Sequence, residues 1–445
     1  MQKPLAWHWR SLPLHQRTGS EVFACLFSQD AIATLLESPY PGNSLSRYSL
    51  CAGSPRQLWT PALGEILPFL SSLLPQTRSD ILPDHLPFHG GWLGWLGYDL
   101  AWEIEKLPNS KANTLPFPVA YWYEPDSFAI LDHQGQILWL AATKPEDLDK
   151  YEQSLTTNPD FELIDPHPSP LIFYTSQLDY EKAVKKALDY IRKGDIFQAN
   201  LSLRFQSTTR AKGWQIYRSL QQINPSPFAS YWRTPWGEMI SCSPERLVKL
   251  ERGIASTRPI AGTRPRGKTE ALDRQLAEEL LTNTKERAEH IMLVDLERND
   301  LGRVCEWGSV DVDELLTIER YSHVMHLVSN VQGKLDKKYH AIDLIKALFP
   351  GGTITGCPKV RCLEIIEELE PVRRNLFYGS CGYIDLRGHL DLNILIRTLL
   401  MTTQGNLNTV WGQVGAGIVA DSDPEKEWLE SLHKAEAQLI ALRSF

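Results

Sequence analysis

The spacing of apolar and polar positions divides the chain into two styles. Up to about residue 153, short apolar and aromatic runs such as 117–123 and 136–142 are broken by Gly, Pro and Asp, the mark of many short strands. From about 171 to 445 helical periods appear. In DYEKAVKKALDYIRK (179–193), Ala183, Ala187, Tyr190 and Ile191 fall on one face and Gly194 supplies a stop. The segments 269–293, 341–348, 358–370 and 424–442 read as helices in the same way. Strand-like runs lie between them at 198–205, 239–250, 382–386, 390–401 and 409–419. The stretch SLTTNPDFELIDPHPSP (154–170) reads as a linker. Hairpins and helices alternate irregularly, unlike a regular βαβ array.

Composition narrows the class without naming an activity. At 445 residues there is room for about three domains. A 42% apolar and 22% charged chain excludes wholesale disorder, a fibrous repeat and a membrane-embedded bundle. The net charge of −8 gives no electrostatic reason to expect nucleic acid or an anionic membrane as partner. The seven cysteines are odd in number and none sit at C-x-x-C spacing, which favours neither a disulfide framework nor a zinc site. The first residues hold no apolar core of signal-peptide length, and no 18 apolar residues run together, so a cytoplasmic location is expected.

Two carboxylate pairs are candidates for chemistry. Glu286 and Glu289 share a helix face at i, i+3, and so do Glu427 and Glu430, behind Asp423 as N-cap and Pro424 as first helical residue. Two such helices face to face present four hard oxygen donors, which suits Mg²⁺ bridging to an anionic substrate. The same spacing also suits a solvated acidic face paired with nearby Lys and Arg. Gly-rich turns form a second set: PGGTITGCPK (350–359) before a helix, Gly415-Ala416-Gly417 after a strand, and RPIAGTRPRG (258–267) with its arginines. Each can bring backbone N–H groups close to an anion, and each is also an ordinary turn. Arg397 is a lone charge in the apolar run NILIRT, where it needs an anionic partner from the substrate or from the protein. His326, in an apolar stretch, is by default a core histidine, and Glu245, after Pro244, could equally cap a turn.

Read together, these segments resemble the chorismate-utilising enzyme family. The carrying motifs are RPIAGTRPRG (258–267), KERAEHIMLVDLERNDLGRV (285–304), PGGTITGCPKVRCLEIIEELEP (350–371), DLNILIRT (391–398) and GAGIVADSDPEKEW (415–428). The resemblance implies an α+β fold of two large antiparallel sheets packed as a sandwich with helices around the outside. In it a strand-rich 1–153 is interleaved with a catalytic 171–445. It implies Mg²⁺ bound directly by Glu289 and Glu430 and through water by Glu286 and Glu427. It further implies carboxylate and ring contacts from Gly262, Thr263, Tyr383, Arg397, Gly415, Ala416, Gly417 and Lys434. Glu245 resembles the general acid that protonates the departing C4 hydroxyl, His326 resembles a histidine beside the ring, and Thr353 supports them.

Gln198 narrows the activity. Members that add water resemble one another in carrying Lys there, whereas an amide cannot deprotonate water, so ammonia is the expected nucleophile. The chain shows no G-x-C-x-G elbow (GSCGY at 379–383), so the ammonia is expected from a separate glutamine amidotransferase subunit. QANLSLRF, SPERL and NPSPFASY resemble the aminodeoxychorismate synthase component I group first and the anthranilate synthase component I group second. Ala261 runs the other way, since many of the first group carry Lys there. Ser38, Pro227 and Phe228 resemble a tryptophan-binding segment, with Phe228-Ala229 altering it. A non-catalytic tryptophan- or chorismate-binding regulatory subunit is the alternative of another class, against which the intact metal and acid positions stand.

Overall fold

The computed structural model describes residues 7–38, 46–74, 85–157, 170–321 and 324–443. Among them, strands form one 12-stranded and one 10-stranded sheet, with every pairing antiparallel. The architecture is α+β. Strands from both ends of the chain share each sheet: Ala33–Glu37 pairs with Phe228–Thr234 in the larger, and Gly91–Leu96 pairs with Ser380–Asp385 in the smaller.

The layers follow from the two-residue period of a strand. Along the larger sheet, Trp232, Met239, Leu400 and Trp411 join a core that also holds Trp92, Trp95 and Tyr121 of the smaller sheet. Their chain neighbours Tyr231, Ile240, Leu399 and Val410 face the other way, into a core with Phe23, Tyr217, Trp428 and Ala435 from three helices. One sheet is thus covered on both faces, which accounts for the abundance of buried aromatics.

The helical pattern is realised closely at Gln177–Arg192, Ala341–Leu348 and Pro424–Arg443. The single helix expected over 269–293 is two, Glu270–Thr282 and Thr284–Gly302, because Asn283 takes an extended conformation and caps the second by accepting from the Glu286 backbone at 3.0 Å. The helix expected from Pro358 begins at Lys359, with Pro358 as its N-cap. Residues 158–169, most of the expected linker, lie outside the described residues.

Two apolar runs expected as continuous strands are each split between the sheets. Gly237–Ser243 belongs to the larger sheet and Arg246–Glu251 to the smaller, the break falling at Pro244, which has no N–H for a ladder. Leu390–Asn393 and Thr398–Gln404 are divided likewise, with Arg397 at φ +50° in the break. The two crossings are stitched together, since the Ile394 backbone donates to the Glu245 carbonyl at 3.0 Å. Glu245 and Arg397 therefore sit where the chain passes between layers. Among the described residues no helix is long and apolar enough to cross a membrane.

Candidate active site

Glu245 is 4% exposed, and its Oε1 has no hydrogen-bond partner. Burial pushes its carboxyl up to about 8, reinforced by the charge of Glu297 and opposed by the Thr353 hydroxyl and the Ile260 backbone. It is therefore largely protonated at neutral pH. Thr353 lies in the short 3₁₀ turn Gly352–Ile354, and beyond its hydroxyl's action on Glu245 its buried Oγ1 accepts from no donor among the described residues.

A second group gathers on the smaller sheet. Strand Ile260–Pro265 pairs with Val324–Lys334, and the register shifts between Ala261 and Thr263. Gly262 makes this bulge with φ +68°, a conformation that costs a side-chain-bearing residue more than glycine. The bulge sets Thr263 opposite His326, with Thr263 Oγ1 3.0 Å from His326 Nδ1. Burial, aided by the charge of Arg397, pushes the imidazole down to about 3, so His326 is neutral. The same charge effect shows that Arg397 lies near it. Arg397 donates to Asn224 Oδ1 at 3.0 Å and, among the described residues, forms no ion pair with a carboxylate.

Across the larger sheet, Gln198–Thr209 pairs with Leu407–Ile418, setting Asn200 opposite Gly417 and Ser202 opposite Gly415. A Cβ on Gly417 would stand 2.7 Å from Gln198 Nε2, so the bare backbone makes room for that amide. Lys434 donates to the Gly415 carbonyl at 3.2 Å and pairs with Glu430 at 2.8 Å, tying this strand to the C-terminal helix.

The four glutamates come from facing helices. Burial raises the Glu289 carboxyl, opposed by Lys285, and Glu286, Glu430 and Glu427 raise it further, which requires all four charges to be close. Burial likewise raises Glu427, opposed by Ser422, and its Oε2 is buried without a partner. Cations neutralise the rest: Arg264 donates to both oxygens of Glu286 at 2.8 and 3.2 Å, and Lys285 lies 3.8 Å from Glu289. Among the described residues no three His, Cys, Asp or Glu side chains already converge as a metal cage. The donor set nevertheless fits a hard divalent cation, because it supplies carboxylate oxygens in excess and one is orphaned. A Cβ on Gly262 would stand 3.4 Å from Glu286 Oε2, so the bulged turn and this acidic face adjoin.

Not every expected residue joins this group. Lys359 donates to Asp300 at 2.6 Å and to the Leu348 carbonyl at 2.8 Å, so it closes the fold rather than meeting an anion. Tyr383 packs on Phe88 with ring centroids 5.6 Å apart and sits opposite Asp391. Asp391 holds Arg246 at 2.8 Å, and Arg246 lies over the Phe228 ring at 4.9 Å. Tyr383 is thus linked to Phe228 through Asp391 and Arg246. Ser38, whose buried Oγ has no partner, follows Glu37, which pairs with Ala229, so Ser38 and the buried Pro227 adjoin Phe228. Sequence reading overlooked Glu297, buried and pushed up to about 7, and also Arg264, Asn224 and Asn200. A charged or amide residue in the middle of a motif already singled out for other positions was the only available signal.

The model of the chorismate binding enzyme family matches residues 35–439. A Synechocystis protein described as anthranilate synthase component I-like is 66% identical over 98% of this chain and 92% of its own. Aminodeoxychorismate synthase component 1 of Bacillus subtilis is 46% identical over 80% and 77%. The crystal structure of anthranilate synthase component I from Streptococcus pneumoniae superposes with a TM-score of 0.79 at 32% identity, covering 89% of this chain and 93% of the other.

Proposed function

The chain belongs to the chorismate-binding enzyme family, and we propose that within it this protein exchanges the C4 hydroxyl of chorismate for ammonia. At the coarser level it is a chorismate-utilising enzyme of the anthranilate or aminodeoxychorismate synthase type. The finer reading makes it an aminodeoxychorismate synthase component I that forms 4-amino-4-deoxychorismate. A glutamine amidotransferase subunit delivers the ammonia.

The state of Glu245 carries this reading. A carboxylic acid held at about 8 has a proton to give at neutral pH, and hydroxide departs from carbon only when it leaves as water. Nitrogen replaces oxygen at C4, and the surplus proton of the added ammonia returns to the glutamate base. Gln198 offers an amide that takes no proton from water, which suits a nucleophile that needs no deprotonation. Arg397, which pairs with no carboxylate among the described residues, and the backbone at Gly262 and Gly415–Gly417 suit the two carboxylates of the substrate. Neutral His326 sits beside Thr263 to position the ring. Glu289 and Glu430 would hold Mg²⁺ directly and Glu286 and Glu427 through water. The ion would supply positive charge to a substrate carboxylate.

The second reading is anthranilate formation with loss of pyruvate. Ala261 and the description of the 66% identical relative favour it. Purified protein incubated with chorismate, Mg²⁺ and ammonium is expected to consume chorismate and, with a 4-aminobenzoate-forming lyase added, to yield 4-aminobenzoate. Fluorescent anthranilate appearing without the lyase would replace the proposed product, and absence of chorismate consumption would remove the reading altogether. The metal assignment has its own test. Glu289→Gln and Glu430→Gln should each weaken Mg²⁺ binding, read by calorimetric titration, by at least about tenfold. Unchanged affinity in both variants refutes it.

A further inference from the structure

Strand Gln198–Thr209 sends Gln198, Asn200, Ser202 and Arg204 from one face, and all four are buried. The far half of this polar stripe closes on the protein. The Ser202 backbone and hydroxyl donate to Glu370 Oε1 at 2.8 and 2.7 Å, and Arg204 Nε donates to Gln413 Oε1 at 3.0 Å. The near half stays open. Gln198 Oε1, Asn200 Oδ1 and Thr353 Oγ1 are all buried, and none accepts a hydrogen bond from a donor among the described residues. Their orientation is set by their neighbours. Asn200 Nδ2 faces the Thr353 carbonyl at 3.5 Å, which turns its Oδ1 away, and Gln198 Nε2 lies against the bare Gly417. A buried acceptor normally has a donor, from the protein or from something bound beside it.

We propose that Gln198 Oε1, Asn200 Oδ1 and Thr353 Oγ1 form a holding site for ammonia, in which Asn200 is a binding residue not previously assigned. The inference rests on the ammonia reading above and gives the nucleophile a place. Ammonia has three N–H donors and one lone pair. Three oxygens that accept its hydrogens leave the lone pair free and keep the molecule uncharged until it attacks. Chorismate has one hydroxyl donor at C4 and is otherwise rich in acceptors, whereas ammonia offers a donor to each of the three oxygens. The site adjoins Glu245 through Thr353, whose hydroxyl acts on that carboxyl.

Steady-state kinetics with ammonium chloride at fixed pH, read by chorismate consumption, test it. Asn200→Leu removes one acceptor and should raise the KM for ammonium about tenfold, the effect of one lost hydrogen bond, while the KM for chorismate moves less than twofold. Thr353→Val keeps the shape and should move ammonium KM the same way, so the test survives if Asn200→Leu does not fold. Ammonium KM within twofold of wild type in the folded variants overturns the proposal and assigns the stripe to ordinary buried water. Wild-type chorismate consumption that needs no ammonium overturns the ammonia reading itself, and the holding site with it.

Discussion

Glu245→Gln should lower chorismate turnover by about 10²- to 10⁴-fold, the range supplied by a positioned general acid, with chorismate affinity within a few fold of wild type. The substitution preserves volume and removes only the proton that leaves with the hydroxyl. The wild-type rate should fall as pH rises through about 8, where the acid loses its proton. Wild-type stability should fall with rising pH as activity does, whereas the Glu245→Gln variant trades activity for stability. In the unfolded chain this carboxyl titrates near its ordinary 4.5, while in the fold it stays protonated to about 8. The stability due to that bound proton is fully present below pH 4.5 and is lost as pH rises through 8, because the folded state must then bury a charge. The amide carries no such burden. Melting temperatures compared from pH 5 to pH 8 should therefore diverge in favour of Glu245→Gln. Full turnover in the variant, or a wild-type profile flat through pH 8, removes Glu245 from the acid role.

Arg397→Met should raise the KM for chorismate about 10²-fold, since a guanidinium on a carboxylate makes hydrogen bonds worth about 1.5–3 kcal/mol each. The argument rests on what Arg397 lacks. Its donation to Asn224 at 3.0 Å leaves most of its donors unmatched by protein carboxylates among the described residues, and burial lowers its pKa without discharging it. A half-buried cation without an anion lowers the stability of the empty protein. Arg397→Met is accordingly expected to hold or raise the melting temperature while losing substrate. Arg397→Lys should recover only part of the affinity, because one ammonium does not reproduce the planar fork. Calorimetric binding of chorismate decides the matter: affinity unchanged in Arg397→Met assigns the substrate carboxylates to other groups.

The site opposes stability at several points in the same manner. Glu245 and Glu297 are buried acids pushed to about 8 and 7, and Glu289 and Glu427 are raised beside one another. The aromatic core between the sheets, with Trp95, Trp122 and Trp232 fully buried, supplies the rigidity that keeps such groups in place.

Much of the local structure was legible because it is local. The helix over Ala341–Leu348 and the i, i+3 glutamates of the two acidic helices follow from the 3.6-residue period alone. The strand beginning at Gln198 follows from the two-residue period, since QANLSLRF alternates polar and apolar. Those same eight letters mislead about the surroundings. Alternation suggests one wet face, yet Gln198, Asn200, Ser202 and Arg204 are buried along with Leu201 and Leu203. Period two states which residues share a face but not what covers it, and here helices cover one side of the strand while Glu370, Gln413 and the Thr353 turn meet the other. The runs over 239–250 and 390–401 show the same limit. Each is apolar throughout, and only the second sheet decides that the chain leaves one layer at Pro244 and at Arg397 to enter the other. By itself the sequence determined the elements, their faces and the kinds of group available for chemistry. The tertiary structure decided which groups meet and which are left without partners: Glu245 beside Thr353, His326 within the field of Arg397, and Tyr383 against Phe88. Proximity between residues far apart in the chain is set by packing of whole layers, and desolvation, which sets the proton on Glu245, exists only once those layers close.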